Sequence, residues 1–164
     1  EENHPEFIDS VFRVEPPMPA AGQQETCRTL LAESLGDQCS YDVVQGVTDR
    51  LREMVDNHKA RKDPEPLVVS KRVLSEVLRD CEVEEEKISA FAQQYEEEFG
   101  EQAVSPKNLI DQKETQVRTP NILIKVEADF AHLVETRLID GKKYILIRAE
   151  DGVEVNGVAV SVTE

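Results

Sequence analysis

A chain of 164 residues suits one or two small domains with a real core. Its 34 acidic and 19 basic residues leave a net charge of -15, which repels phosphate backbones and anionic membranes, so nucleic-acid binding is disfavoured. No apolar run approaches the roughly 18 residues of a membrane-spanning helix, and no charged-then-apolar leader opens the chain.

The charge is uneven. Residues 1–104 hold 24 acids against 11 bases, whereas residues 105–164 hold 10 against 8. Cys27, Cys39 and Cys81 are odd in number, irregularly spaced and form no C-x-x-C, which fits reduced thiols in a cytoplasm better than a disulfide framework. The chain opens on Glu1 and is read as the C-terminal part of a longer protein.

His4-Pro5 opens a first short helix, with Phe7, Ile8, Val11 and Phe12 at helical spacing before Pro16 and Pro17 stop it. A second helix is predicted over 23–35, turning Cys27, Leu30, Leu31 and Leu35 inward, with Gly36 as its stop. The longest is predicted over 41–60, capped by Ser40, with an apolar stripe of Tyr41, Val44, Val47, Leu51, Met54 and Val55. The polar, proline-broken stretch RKDPEP follows. Ser70 caps a fourth helix with Val73, Leu74, Val77 and Leu78 inward. A fifth, over 84–99, buries Ile88, Phe91, Tyr95 and Phe99 and ends at Gly100. Ser105-Pro106 starts one more short turn.

Beyond it the hydrophobic period changes from helical to alternating. Strands are predicted over 114–119 and 122–126, around a Pro120-Asn121 turn. Asp140-Gly141 and Asn156-Gly157 each sit between runs of Val, Ile, Leu and Tyr, the strongest short-range hairpin signal. A two-residue turn at Asn156-Gly157 pairs Val155 with Val158 and Val153 with Val160, and Val162 extends that face, as a half-buried sheet needs. The same turn at Asp140-Gly141 pairs Thr136 with Ile145 and Val134 with Ile147. A bulged three-residue turn at Gly141 would instead regroup the faces of this hairpin, which is expected at the centre of the β unit.

The fold class that follows is α+β. An acidic helical domain over 1–104 precedes a β-rich hairpin domain over 105–164, a small antiparallel unit of about six strands.

The blocks FGEQAVSPKNLID, VRTPNILIKV, LVETRLIDGKKYILI and EDGVEVNGV, with ENHPEFIDSVF and KDPEPLVVSKR before them, carry a resemblance over nearly the whole chain. It is to the bacterial domain-of-unknown-function family four-three-one-seven. The resemblance implies a cytosolic protein whose relatives carry an additional N-terminal region, and it supplies no activity, cofactor or catalytic residue. The shorter run GVEVNGVAV is similar to the closing hairpin of the S4 RNA-binding fold. Strands precede it here in place of the two basic helices that fold needs, so a plain valine-faced hairpin is the better reading.

The chemistry-bearing residues are sparse. The helices around Cys81 resemble a helix-turn-helix in spacing, but the second offers Glu84–Glu86 and Glu96–Glu98 with Lys87 alone in opposition, which would repel DNA. Those last glutamates sit where the helix dipole prefers cations, yet no calcium-loop pattern accompanies them. His4, His58 and His132 share no metal-ligand spacing, and neither a nucleophile elbow nor a phosphate-binding glycine loop occurs. No metal, cofactor or catalytic residue is implied.

One polar cluster stands out. In the two-residue register Glu135, Arg137, Tyr144 and Arg148 share a face of the 133–148 hairpin, where cross-strand pairing alone would account for them. The functional alternative is a binding face in which the two arginines read carboxylates. The expected function is a non-catalytic protein-interaction or ligand-binding module, its partner another protein or the absent N-terminal region. The alternative is an accessory part of an enzyme whose active site lies in that region.

Overall fold

The computed structural model describes residues 18–163, so the helix expected over residues 4–12 lies outside the described residues. Four helices come first: α1 (Ala20–Leu35), α2 (Tyr41–Arg61), α3 (Lys71–Asp80) and α4 (Glu85–Phe99). Six strands follow: β1 (Glu114–Thr119), β2 (Ile122–Glu127), β3 (Val134–Ile139), β4 (Lys142–Ile147), β5 (Val153–Val155) and β6 (Val158–Val160). Single 3₁₀ turns cover Gly36–Gln38, Pro106–Asn108 and Ala128–Leu133. The α+β class and the hairpin pairing therefore stand as the residue pattern predicts.

Local chemistry sets the helix ends. Ser40 and Ser70 each accept, on the side-chain oxygen, the N–H three residues on, from Val43 and Val73. α1 begins at Ala20, three residues before the predicted start, because the Pro19 carbonyl already accepts the Gln23 N–H at 2.9 Å. α4 turns Ile88, Phe91, Tyr95 and Phe99 onto one buried line. Along it the Phe91 and Tyr95 rings lie 6.0 Å apart and those of Tyr95 and Phe99 4.6 Å, separations at which tilted aromatics attract.

That line is the axis of the core. Cys27, Leu30 and Leu35 of α1 pack with it, as do Val47 and Leu51 of α2 and Leu74, Val77 and Leu78 of α3. Each such buried side chain contributes on the order of 1.5–3 kcal/mol of transfer free energy. The core extends past the last helix, since Val104 and Leu109 belong to it and the Val69 N–H donates to the Val104 carbonyl at 2.8 Å. One position on α2 departs from the predicted stripe. Val44 is exposed, and Gln45 takes the buried place because its amide has partners on both sides.

Among the described residues the strands pair only within their own hairpins, giving three two-stranded sheets and not one continuous sheet. Asp140 and Gly141 have φ of 51° and 78°, and Asn156 and Gly157 have 53° and 81°. Positive φ at both central residues defines the primed two-residue turn. It settles the register: Thr136 opposes Ile145, Arg137 opposes Tyr144, and Val155 opposes Val158. The hairpin at 133–148 is not central to a larger sheet, because neither of its edges finds another strand.

Candidate functional site

The hairpins are held to the helical core at a few points. Arg52 of α2 is the principal one. Its Nε–H and Nη2–H donate to the Asp111 carbonyl at 3.1 and 2.7 Å, and Nη2–H also reaches the Glu114 carbonyl at 3.0 Å. The buried Gln45 accepts from the Thr115 hydroxyl at 3.1 Å and donates to Asp49 at 2.9 Å. Asp111 in turn accepts the N–H groups of Lys113 and Glu114, shaping the entry to β1. Farther on, the Tyr41 hydroxyl donates to the Ala131 carbonyl at 2.8 Å, and Val134, 3% exposed, is buried at the start of β3.

Beyond those anchors β3 and the β5–β6 hairpin are largely exposed, whereas β1, β2 and β4 keep some half-buried positions. Every residue of β3 after Val134 is exposed. Leu138 is 67% exposed, Val158 63% and Val162 75%, and Ile147, Val155 and Val160 are exposed with them. The valine face predicted to be half-buried thus forms in the right register and meets no core; only Val153 is partly covered. The physical reason is that β5 and β6 have three residues each and pair with nothing else. Acidic and basic side chains border the apolar ones, among them Lys142, Lys143, Glu150 and Glu154.

The four residues singled out in the sequence fall on this surface. Glu135 and Arg137 lie on one face of β3 and pair with each other at 2.9 Å, with Tyr144 opposite Arg137. Arg148 stands just past β4, where its N–H donates to the Leu133 carbonyl and its side chain pairs with Glu150 at 2.9 Å. Each arginine is therefore matched to an acid two residues away.

Two groups in the helical core are shifted upward by burial. Burial pushes the Cys27 thiol up to about 11 and the Tyr95 hydroxyl up to about 12, so both stay protonated. The hydrogen bond from Lys71 holds the Glu96 carboxyl below its ordinary value, which supplies a cation at the end of α4 where the helix dipole asks for one. The hydrogen bond from Arg79, 2.5 Å away, likewise holds the carboxyl of Glu85, at the start of α4, below its ordinary value. His58 Nε2 lies 2.6 Å from the Glu65 carbonyl, and His132 stacks near Phe130. Among the described residues no three His, Cys, Asp or Glu side chains converge as a metal site would require, and no helix is long and apolar enough to cross a membrane.

Sequence reasoning missed the Arg52–Gln45 anchor. The available signal was the Gln45–Asp49 pair, a helical hydrogen-bonding spacing of four residues. It marked a buried polar network inside what otherwise reads as an apolar stripe.

Fold and surface together define an α+β protein in which a helical core carries three solvent-facing hairpins. The model of a domain of unknown function (DUF4317) matches residues 1–158, nearly all of the chain and not its C-terminal part alone, and the chain belongs to that family. No curated protein and no solved structure matches it.

Proposed function

We propose that this chain is a non-catalytic interaction module of the bacterial cytoplasm, and that hairpins β3–β4 and β5–β6 dock on an apolar strand or sheet face of another protein. The observation that carries the reading is the unpartnered valine face of β5–β6. Val155, Val158, Val160 and Val162 are all exposed, on a hairpin whose two edges are both unpaired. Two-stranded hairpins are marginal in water by themselves, and exposed edges are templates for another strand. A partner strand or sheet would satisfy both at once. The charged border fits a docking rim, since interfaces surround an apolar centre with polar residues. Free thiols at Cys27, Cys39 and Cys81 support a reducing compartment.

The test is cross-linking mass spectrometry of the full-length protein in its host, comparing the parent with a Val158→Glu, Val160→Glu variant. Both positions are exposed, so the fold should survive. Cross-links from Lys142 and Lys143 to a second protein are expected in the parent and should disappear in the variant. Partner cross-links confined to α1–α4, or a variant retaining every contact, would refute the proposal.

A further inference from the structure

A groove of about 550 Å³ between α1, α2 and β1 is lined by three arginines, Arg28, Arg52 and Arg118. A cluster of three guanidinium groups is out of keeping with a chain of net charge -15. The five arginines Arg50, Arg72, Arg79, Arg137 and Arg148 each lie 2.5–3.6 Å from a carboxylate. Among the described residues Arg28, Arg61 and Arg118 form no such pair, and of these Arg28 and Arg118 line the groove.

The acids that border the groove are already engaged. Asp111 Oδ1 accepts the N–H groups of Lys113 and Glu114, and a Glu114 oxygen accepts from the Gln116 amide at 2.8 Å. Arg52 spends its Nε–H and Nη2–H on carbonyls, while its buried Nη1 has no hydrogen-bond acceptor and lies 3.6 Å from Asp49. Its charge is opposed by Asp49, and Arg28 and Arg118 are the exposed guanidinium groups of the groove. Leu31, Val44 and Ile110 supply apolar lining beside these groups.

We propose that this groove binds a small organic monocarboxylate with an apolar body. The carboxylate is received by the exposed guanidinium groups of Arg28 and Arg118, and the body lies along Leu31 and Val44. Planar guanidinium forks match a carboxylate in two parallel hydrogen bonds. With Arg52 opposed by Asp49 at 3.6 Å, Arg28 and Arg118 face Asp111 and Glu114 and leave the lining balanced in charge, which suits a monoanion better than a phosphate dianion. The volume falls in the range of small-ligand sites, roughly 300–1,000 Å³. This site is separate from the hairpin surface, and its occupation does not depend on a protein partner.

Two-dimensional NMR of the full chain, titrated with sodium hexanoate, its neutral analogue hexanamide and inorganic phosphate at matched ionic strength, tests it. Hexanoate should produce saturable shifts at Arg28, Thr48, Gln116 and Arg118, hexanamide none, and phosphate weaker ones. Arg28→Gln combined with Arg118→Gln should weaken hexanoate at least about tenfold, as the loss of charge-assisted hydrogen bonds requires. Arg118→Lys, keeping charge but losing the fork, should fall between, and Arg137→Gln on the hairpin surface should change nothing. Absence of saturable shifts, equal binding of hexanamide, tighter binding of phosphate or an unaffected double variant would overturn the assignment.

Discussion

Val77 and Val158 are the same residue in opposite settings. Val77, on α3, is 1% exposed within the helical core, whereas Val158, on β6, is 63% exposed on a hairpin that no other described strand joins. Both sit in apolar patterns of the correct period, helical for one and alternating for the other. The helical region closes on itself because four amphipathic elements supply each other's partners. The hairpins pair their backbone hydrogen bonds, but β3 past Val134 and most of β5–β6 leave their side chains to solvent or to another molecule. Secondary structure and burial are thus separate achievements, and only the helical region completes both.

The strongest way to break that contrast is to attack the core. Phe91→Ala removes a ring that is 1% exposed and should cost about 3–5 kcal/mol, read as a lower urea midpoint in the helical circular dichroism. Because Arg52, Tyr41 and Val134 tie β1–β2 and β3–β4 to α2, amide protection in those hairpins should fall in parallel. Hairpins that keep their protection while the helices melt would show that they are independent of the core.

The reverse experiment should be lopsided. Gly141→Val adds a Cβ with nothing within 4 Å, so its cost is conformational strain at φ 78° and not a clash with a neighbouring element. A β-branched residue there should destabilise the β3–β4 hairpin by about 1–3 kcal/mol. Hydrogen exchange should quicken across β3 and β4, while α1–α4 keep their melting behaviour. Loss of helical signal in the same transition would mean that the hairpin supports the core.

Alkaline pH sharpens the comparison without a mutation. Burial raises the Cys27 thiol from 9.0 to about 11, with Arg28 opposing, and raises Tyr95 from 10.0 to about 12. A group whose folded pKa is raised favours the folded state fully below its unfolded pKa, and that contribution is lost as pH climbs through the folded value. Stability of the helical core should therefore decline between pH 9 and about 12, measured as the urea midpoint. Cys27→Ala should flatten the lower part of that decline.

The smallest effect is the most diagnostic. Val158→Thr on the bare hairpin should change stability by no more than about 0.5 kcal/mol. Val77→Thr, which buries a hydroxyl in the core, should cost about 1–3 kcal/mol. Equal costs at the two sites would mean that the valine face of β6 is covered in solution.

Much of this was legible in the residues, for identifiable reasons. Ser40 and Ser70 announce helix starts because a short hydroxyl before an apolar periodic run satisfies a free N–H. Asp140-Gly141 and Asn156-Gly157 announce hairpin turns, and at Asn156-Gly157 the two-residue register follows; at Asp140-Gly141 a bulged turn stayed open until φ values of 51° and 78° decided it. The line Ile88, Phe91, Tyr95 and Phe99 declares its own burial through its spacing and size. These are local properties, decided within a few residues of chain.

What only the tertiary structure decided depends on contacts between residues far apart. Periodicity placed Val44 on the buried stripe, but Gln45 is buried because Thr115 meets its amide from 70 positions away. Arg52 reads as an ordinary surface cation until the Asp111 and Glu114 carbonyls converge on it. The groove that gathers Arg28, Arg52 and Arg118 draws on three elements whose juxtaposition no local pattern encodes. The alternating valines show that β5 and β6 have an apolar face, but whether that face is covered depends on which distant surface reaches it. Among the described residues none does, because the helices have already used their apolar faces on one another.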